Sequence, residues 1–280
     1  MSSLKVERLL ITGGSGYVGQ KLVAKASDRY DVLYTWFTHP TDIPGARSAR
    51  LNLLDSVQVL HLFLDFSPHA VIHTAYSQEN LEVIVSGTKH VVEASDKVGA
   101  RLLHLSTDAV FDGERGWYRE NDIPNPIHPY GKAKAEAEAL IGCRGLQIGT
   151  GNGYTSGTRL DTELLRQRNA VIIRISLVWG LDPLDPRTRY IKERLEKGEK
   201  VVLFTDEYRC PIWVNELAAA ILEILDSSFS GIIHVAGPKR MSRYEFGVLL
   251  AKNMGLNPKG ITPGLSHESG LVRPRDCSLD

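Results

Sequence analysis

Three side chains in this sequence have the types and the spacing for proton transfer to a carbonyl oxygen. Tyr130 and Lys134 are four residues apart, so on a helix they lie on the same face. A phenol is a weak acid with an ordinary pKa of about 10, and a nearby ammonium group lowers that pKa because it favours the phenolate. Thr107 ends a predicted strand, where its hydroxyl could hydrogen-bond the same oxygen. The set predicts general acid catalysis by Tyr130 in the reduction of a carbonyl group, although a tyrosine and a lysine at this spacing also occur together by chance.

A glycine-rich turn near the N-terminus indicates what would supply the hydride. An apolar run leads into residues 12–19, and a helical pattern follows. Gly13 allows a sharp turn, Gly16 lets a diphosphate approach the backbone, and Gly19 lets the helix pack closely on the sheet. Strand, glycine turn and helix in this order favour a dinucleotide site over an ordinary tight turn, with free N–H groups facing the anion. The predicted cofactor contacts at the turn are Gly13, Ser15, Gly16, Tyr17 and Val18.

The end of the second predicted strand bears on which dinucleotide is bound. NAD sites usually place an acidic residue there, about 20 residues after the glycines, and the segment 34–39 has none. We therefore expect NADPH, with His39, Arg47 or Arg50 on its 2′-phosphate. A loosely held adenosine end that also accepts NADH is the alternative. Asn52 is placed to meet the adenine. The other predicted cofactor contacts are Leu53, Thr74, Ala75, Tyr76, Tyr130 and Lys134.

Strands and helices alternate along the first part of the chain. Strands are predicted at 32–37, 48–51, 70–74, 101–105 and 169–176, and helices at 57–66, 81–98 and 131–141. This order predicts an α/β fold, a Rossmann doubly wound parallel sheet with right-handed crossovers. We expect residues 1–179 to form the NAD(P)-binding domain and residues 180–280 to form a smaller, partly interleaved α/β substrate-binding cap. The long connection at 143–169 is predicted to be a flexible loop, with a substrate lid as the alternative.

Composition argues against several classes of partner. Thirty-three basic residues balance 33 acidic ones among 280, without a long basic run, so we expect neither nucleic acid nor a membrane surface as a partner. The longest apolar stretches have the length of strands, and the first residues lack a signal-peptide core. Cys143, Cys210 and Cys277 are far apart, as in proteins with reduced thiols. We expect a cytoplasmic protein.

Two groups of titratable residues are predicted to lie outside the chemistry. The histidines do not form a metal-binding spacing, so we expect no metal site. His73 and His104 lie in predicted strands, where packing is the simpler role. Glu136 and Glu138 are predicted to lie on the solvent face of their helix.

Five segments carry a resemblance to a known family. They are TGGSGYVG at 12–19, LSTDAVFDG at 105–113, PYGKAKAEAE at 129–138, IIRISLVWG at 172–180 and RPRDCSLD at 273–280. In this order they resemble the extended short-chain dehydrogenase/reductase superfamily, and within it the dTDP-4-dehydrorhamnose reductase group. The resemblance implies NAD(P)H-dependent reduction of a carbonyl on a nucleotide-activated sugar. It also implies a catalytic triad of Thr107, Tyr130 and Lys134, with Lys134 on the nicotinamide ribose as well. It places four residues on the substrate side, namely Asp108, Phe111, Arg209 and Arg273.

One position departs from the family pattern and keeps other functions open. The helix after the fourth strand commonly carries an asparagine in NVxGT, where this sequence has Ile84. Isoleucine cannot hydrogen-bond, so a water-based proton relay would be disturbed. A related protein, the methionine adenosyltransferase beta subunit, keeps the fold and cofactor site and serves mainly as a partner. A non-catalytic, NADP-binding regulatory subunit of that kind is therefore the first alternative, and a homodimer is a further assembly to consider. A nucleotide-sugar epimerase or dehydratase is the second, although no glutamate follows Asp108 as dehydratases typically require.

Overall fold

The computed structural model describes residues 7–143 and 159–280, so most of the predicted insertion, 144–158, lies outside the described residues. Within them the strands are β1 (Arg8–Thr12), β2 (Asp31–Trp36), β3 (Arg47–Arg50), β4 (Ala70–His73), β5 (Arg101–Thr107), β6 (Ala170–Ile175), β7 (Val178–Trp179), β8 (Val201–Phe204), β9 (Tyr208–Arg209), β10 (Ile212–Trp213), β11 (Gly231–Val235), β12 (Met241–Ser242) and β13 (Ile261–Gly264). The α-helices are α1 (Tyr17–Ala26), α2 (Ser56–Phe66), α3 (Glu82–Val98), α4 (Pro129–Gly142), α5 (Thr162–Gln167), α6 (Pro186–Glu196), α7 (Val214–Asp226) and α8 (Arg243–Asn253). Short 3-10 helices cover Asp108–Val110, Pro258–Gly260 and Ser266–Ser269. None of the helices in the described ranges combines the length and the apolar character needed to cross a bilayer.

Seven of these strands form one parallel sheet. Their spatial order is β11, β6, β5, β4, β1, β2, β3, with every neighbouring pair parallel. Because β1 lies between β2 and β4, the chain builds the sheet outward from β1 first in one direction and then in the other. The predicted doubly wound Rossmann sheet is thereby confirmed, and ligands of such sheets bind at the carboxyl ends of the strands where the direction reverses.

Helices cover both faces of this sheet because successive side chains of each buried strand point to opposite sides. On one face, Leu9 of β1 packs in a core with Leu22 of α1 and Leu217 of α7. On the other face, Leu10 packs in a second core with Phe63 of α2, together with side chains of α3, α4 and α5. The helices α3, α4 and α5 therefore lie over the same face, which is the one that carries the polar side chains described below.

The C-terminal part of the chain contributes to two layers. Helix α7 packs on α1, and β11 pairs with β6 at the edge of the large sheet. The parallel pair β8 and β13 forms a smaller unit with α6 and α8, around a core that includes Ile191, Leu250 and Ile261. The elements α7 and β11 follow residue 179 but lie with the large sheet, so the structure does not divide at that residue. The functional division there remains a prediction.

Candidate active site

The turn between β1 and α1 leaves the first N–H groups of α1 free of side-chain caps. Gly13 has a φ of +70°, and a Cβ there would lie 2.7 Å from the Cα of Ala75. Gly16 precedes α1 as its N-cap residue without a side-chain hydrogen bond, and the first turn of α1 contains no acidic residue. A Cβ on Gly19 would overlap the carbonyl oxygen of Gly13. The turn therefore requires glycine where the sequence has it, and it offers an anion backbone donors.

The other predicted turn residues take different positions. The Ser15 carbonyl oxygen accepts a hydrogen bond of 2.7 Å from Gln20 Nε2. The Tyr17 hydroxyl donates to the carbonyl oxygen of Pro183 at 3.2 Å, and burial raises the pKa of Tyr17 to about 12. Val18 packs against the core between α1 and α7. Tyr17 thus connects the turn to the C-terminal part of the chain, and the Val18 side chain supports the helix.

Two of the predicted 2′-phosphate contacts lie beyond the carboxyl end of β2. Arg50 pairs in register with Trp36, the last residue of β2, and its guanidinium lies 5.4 Å from the centre of the Phe37 ring. Both Arg50 and His39 are exposed. Their positions are compatible with an anion bound at this edge of the sheet.

Arg47, the third predicted phosphate contact, is directed to the opposite end of the sheet. Its guanidinium forms a 2.7 Å ion pair with Asp31, the first residue of β2, and lies over the Phe66 ring. The amino end of β2 is remote from the glycine turn, so the structure contradicts the prediction for Arg47. The reason is the strand register, which the sequence does not reveal.

The predicted adenine-side residues form a turn after β3. Asn52 is half-buried, and its side-chain oxygen accepts from Leu54 N at 3.1 Å. Leu53 is buried against Gly87 of α3, and its carbonyl oxygen lies 2.7 Å from His90 Nδ1. Leu53 therefore packs beneath the turn, and Asn52 is the residue of the two with an accessible side chain.

The segment after β4 connects the glycine turn to Tyr130. The Thr74 hydroxyl donates to the Thr12 carbonyl oxygen at 2.7 Å, and Ala75 closes over Gly13. Tyr76 is 56% exposed, and its ring centre lies 6.0 Å from that of Tyr130. The predicted nucleotide site and the predicted acid are therefore neighbours along one crevice.

Helix α4 begins two residues earlier than predicted, so Tyr130 lies in its first turn. The ring of His128 caps the helix, with Nδ1 accepting from the Gly131 N–H at 2.9 Å. A Cβ on Gly131 would overlap the carbonyl oxygen of Ala109. This close approach holds the start of α4 against the end of β5, where Thr107 lies.

The surroundings of Tyr130 favour the neutral phenol. Burial raises the pKa of Tyr130, and electrostatic interactions with Tyr76 and Asp108 act in the same direction. The nearby Thr107 side chain acts in the opposite direction without outweighing burial. The sequence predicted that Lys134 lowers the pKa of Tyr130. In the protein without a bound cofactor the pKa of Tyr130 is raised, so the predicted direction is wrong.

Lys134 is directed toward the sheet. Its side chain is only 4% exposed, and Nζ donates to the Leu105 carbonyl oxygen at 2.6 Å. The Nε2 atom of His104 lies 3.4 Å from the same ammonium group. Burial lowers the pKa of Lys134 to about 8, against an opposing effect of Glu138. The Lys134 ammonium group therefore loses its proton more readily than that of an exposed lysine.

Asp108 and Arg209, both predicted on the substrate side, form a buried pair beside Tyr130. Arg209 Nε lies 3.5 Å from Asp108 Oδ2, which also accepts from the Ser176 hydroxyl at 2.7 Å. Burial raises the pKa of Asp108, although Arg209 and the hydrogen bond from Ser176 oppose that rise. Arg209 also donates to the carbonyl oxygen of Pro274 at 3.2 Å, which holds the C-terminal segment over the crevice.

Comparison with known proteins shows the family of the chain. The family model described as the RmlD substrate binding domain matches residues 7–148 and 154–280. The chain belongs to the RmlD family. It is 27% identical to methionine adenosyltransferase 2 subunit beta of Bos taurus, over 98% of this chain and 80% of that protein. It is also 27% identical to dTDP-4-dehydrorhamnose reductase of Aggregatibacter actinomycetemcomitans, over 87% of this chain and 78% of that protein.

A solved structure gives the same result for the fold. The crystal structure of a hypothetical dTDP-4-dehydrorhamnose reductase from Sulfolobus tokodaii is similar with a TM-score of 0.80. Its sequence is 30% identical, and the match covers 98% of this chain and 92% of that one. The resemblance of this RmlD family member to the extended short-chain dehydrogenase/reductase superfamily is thereby confirmed.

Three further arginines accompany Arg209 in this RmlD family member. The resemblance predicted Arg273, whereas the sequence analysis missed Arg187 and Arg243. Arg273 Nη1 lies 3.2 Å from Glu207 Oε2, and Arg243 Nε lies 3.8 Å from Glu207 Oε1. Arg187 of α6 adds its charge, which opposes the rise in the pKa values of both Tyr130 and Asp108. Burial and the neighbouring arginines lower the pKa of Arg243 to about 10. We call Arg187, Arg209, Arg243 and Arg273 the arginine cluster. Its members come from separate elements, so sequence spacing gave no signal of it.

Phe111 packs in the core and does not face the crevice. Its side chain is fully buried, and its ring stacks on that of Tyr118 with centres 4.2 Å apart. The Arg174 guanidinium lies over the same ring, 5.1 Å from its centre. The predicted substrate contact of Phe111 is therefore not supported, because its contacts are all with the protein interior.

Glu138 is buried, which contradicts its predicted place on the solvent face. It forms a 2.8 Å ion pair with Arg174 of β6, and both side chains are 0% exposed. The Ser106 hydroxyl donates to the same carboxylate at 2.5 Å. Glu136 is half-buried. A signal was present in the sequence, since an arginine in the middle of the apolar strand 170–175 needs a buried acidic partner.

His73, His104, Cys210 and Cys277 are buried. His73 and His104 are each 1% exposed within their strands, as predicted. Cys143, Cys210 and Cys277 are free thiols. Among the residues that the structure describes, the histidine, cysteine and acidic side chains form no group of three placed to hold a metal ion.

Proposed function

We propose that this protein is an NADPH-dependent reductase of a carbonyl group on a nucleotide-activated sugar, with Tyr130 as the proton donor. The observation that supports this most directly is the position of Tyr130. It lies close enough to Thr107, at the carboxyl end of β5, for that side chain to act on its pKa, and its ring lies beside Tyr76, next to the glycine turn. A proton donor and a dinucleotide site at one crevice are the arrangement that carbonyl reduction requires.

The residues at the turn fit a dinucleotide. The close approach of Gly13 to Ala75 and the uncapped start of α1 leave room and donors for a diphosphate. The exposed Arg50 and His39 beyond β2 suit a 2′-phosphate, which is why we favour NADPH and keep NADH as the alternative. When bound, the cofactor would supply a hydride to the carbonyl carbon.

The chain's own residues would complete the reaction. The neutral phenol of Tyr130 donates its proton to the carbonyl oxygen as negative charge develops there, and the phenolate is later reprotonated from solvent. The Thr107 hydroxyl orients the same oxygen. Lys134 would have to leave its bond with the Leu105 carbonyl to reach the nicotinamide ribose. Once there, its charge would favour the phenolate.

The C-terminal part of the chain would bind the substrate. The arginine cluster carries four positive charges, which Asp108 and Glu207 offset only in part. Charge-assisted hydrogen bonds from guanidinium groups suit the diphosphate of a nucleotide sugar. This supports the functional division in which residues 180–280 supply most of the substrate side.

The test compares the purified protein with its Tyr130→Phe variant, with dTDP-4-dehydrorhamnose as substrate and NADPH oxidation as the readout. The variant should lose turnover by about 10²–10⁴-fold while its Kd for NADPH changes little, because only the proton donor is removed. Tyr190→Phe, an exposed tyrosine on α6, serves as the matched control and should keep the wild-type rate. A Tyr130→Phe variant that turns over normally would refute the assignment.

A second candidate function is a non-catalytic, cofactor-binding subunit of a methionine adenosyltransferase. Ile84 favours it, because this apolar side chain is 1% exposed and packs with Ala133 and Ala137 of α4, where a proton relay would need a polar group. The 27% identity to methionine adenosyltransferase 2 subunit beta over 98% of the chain points the same way. NADPH binding without oxidation, together with co-elution with a methionine adenosyltransferase, would favour this function. An epimerase or dehydratase would instead convert its substrate with no net use of NADPH.

A further inference from the structure

A row of polar side chains crosses three strands beneath the crevice. In the parallel register, Thr12 of β1 stands beside His73 of β4, and His73 stands beside His104 of β5. The His73 ring is held at both nitrogens, with Nδ1 2.6 Å from the Thr12 hydroxyl and Nε2 3.0 Å from the Thr88 hydroxyl. The ring centres of His73 and His104 are 5.2 Å apart. His73 therefore fixes one side of the His104 ring.

The other side of His104 meets Lys134. Nε2 lies 3.4 Å from Lys134 Nζ, and the buried Nδ1 has no hydrogen-bond partner among the described residues. An ammonium group has only donors, so Nε2 must be the acceptor and the proton of the neutral ring belongs on Nδ1. Burial and the Lys134 charge lower the pKa of His104, which keeps it in this accepting form.

Among the residues that the structure describes, the hydrogen-bond partners of Lys134 Nζ both lie in β5, and the helix side offers no equivalent contact. Ile84 of α3 packs against Ala133 and Ala137 and contributes no polar atom. We propose that His104 is a positioning residue that holds the Lys134 ammonium from the sheet side, in place of the polar contact that Ile84 cannot make. Its importance for reduction rests on the function proposed above, whereas the contact itself does not depend on that function.

The charged and titratable groups around Lys134 come from β5, β4 and α4. Strand β5 contributes His104, β4 contributes His73, and α4 contributes Glu138 one turn further on. Glu138 is paired with Arg174 of β6, so its charge is shared between two cations. His104 is the group among these whose side chain touches the ammonium and can be replaced without breaking the buried ion pair.

The test follows the titration of Lys134 in the cofactor-free protein by NMR of carbon-13-labelled lysine. The signal is identified by its loss in Lys134→Arg. An acceptor stabilises the charged ammonium, so His104→Leu should move the midpoint down by about one pH unit from its wild-type value. His104→Gln, which can place an acceptor near the Nε2 position, should restore most of the shift. His104→Asn, whose amide ends nearer Nδ1, should not.

An unchanged midpoint in His104→Leu would overturn the proposal. If that variant does not fold, the comparison of His104→Gln with His104→Asn decides the question, since both keep a polar side chain. Equal midpoints in those two variants would then refute it. The titration needs no ligand, so its result does not depend on the proposed function. A wild-type protein that fails to bind NADPH would refute the proposed function, and the titration would still decide the role of His104.

Discussion

The two sides of the crevice are built from different groups. The glycine turn uses the backbone, because Gly13 and Gly19 allow close approach and α1 begins without side-chain caps or acidic residues. The edge formed by β5 and α4 uses buried ionisable side chains, with Lys134 near His104 and Glu138 paired with Arg174. A fixed anion can be bound by fixed backbone donors, whereas proton transfer needs groups whose protonation the protein controls. The comparison predicts that glycine substitutions impair the glycine turn, whereas charge substitutions impair the edge formed by β5 and α4.

The largest expected effect comes from breaking the buried ion pair. Arg174→Met leaves Glu138 charged, buried and unpaired, so it should lower the free energy of unfolding by about 3–5 kcal/mol. Denaturant unfolding measures this. The double variant Arg174→Met with Glu138→Leu should recover a large part of the loss, because no buried charge remains. Equal losses in the single and double variants would mean that packing, and not charge, dominates this edge.

Gly19→Ala should break the backbone side of the crevice. The new Cβ would overlap the Gly13 carbonyl oxygen, so the turn must shift and the Kd for NADPH should rise by roughly 100-fold, or about 2.7 kcal/mol. Isothermal titration calorimetry gives the Kd. The lysine NMR titration of Lys134 should stay unchanged. A shift of the Lys134 midpoint would show that the two sides are coupled.

Lys134→Met should stabilise the protein in a pH-dependent way. Burial lowers the pKa of Lys134 from 10.5 to about 8, so below pH 8 the folded wild-type protein carries a charge that the interior disfavours. The variant should be more stable by roughly 1–3 kcal/mol at pH 7. The wild-type protein releases its proton more readily when folded than when unfolded, so its stability rises between pH 8 and 10.5 and the gain shrinks.

Thermal or denaturant unfolding at several pH values checks that prediction. Lys132→Met, an exposed lysine on the same helix, is the matched control and should change stability little at any pH. A gain for Lys134→Met that stays constant with pH would contradict the role of the buried charge.

The smallest expected effect is a difference in NADPH affinity between substitutions of Arg50 and Arg47. Arg50→Ala should weaken binding of NADPH about tenfold, or about 1.4 kcal/mol, with no effect on NADH, because only NADPH carries the 2′-phosphate. Arg47→Ala should change neither affinity, since its guanidinium is paired with Asp31 at the other end of β2. Competition binding with both cofactors measures this. Equal effects of the two substitutions would contradict the assignment of the phosphate position.

Local patterns were sufficient for much of the fold. The alternation of strands and helices predicted the doubly wound sheet that the structure has. The failures have a common cause. The environments of Glu138, Phe111 and Arg47 depend on which residues of distant segments stand beside them. Register and packing determine those neighbours, and neither follows from one residue's local context.

The sequence by itself determined the glycine turn and the chain order of Thr107, Tyr130 and Lys134, because these features are set by backbone geometry and spacing within short segments. Only the tertiary structure decided the protonation environment of that set. Burial raises the pKa of Tyr130 and lowers that of Lys134, and the neighbours that oppose these shifts include Thr107 for the first and Glu138 for the second. The charge state of a buried group depends on solvent exclusion and on partners from other elements, which exist only after the chain has folded.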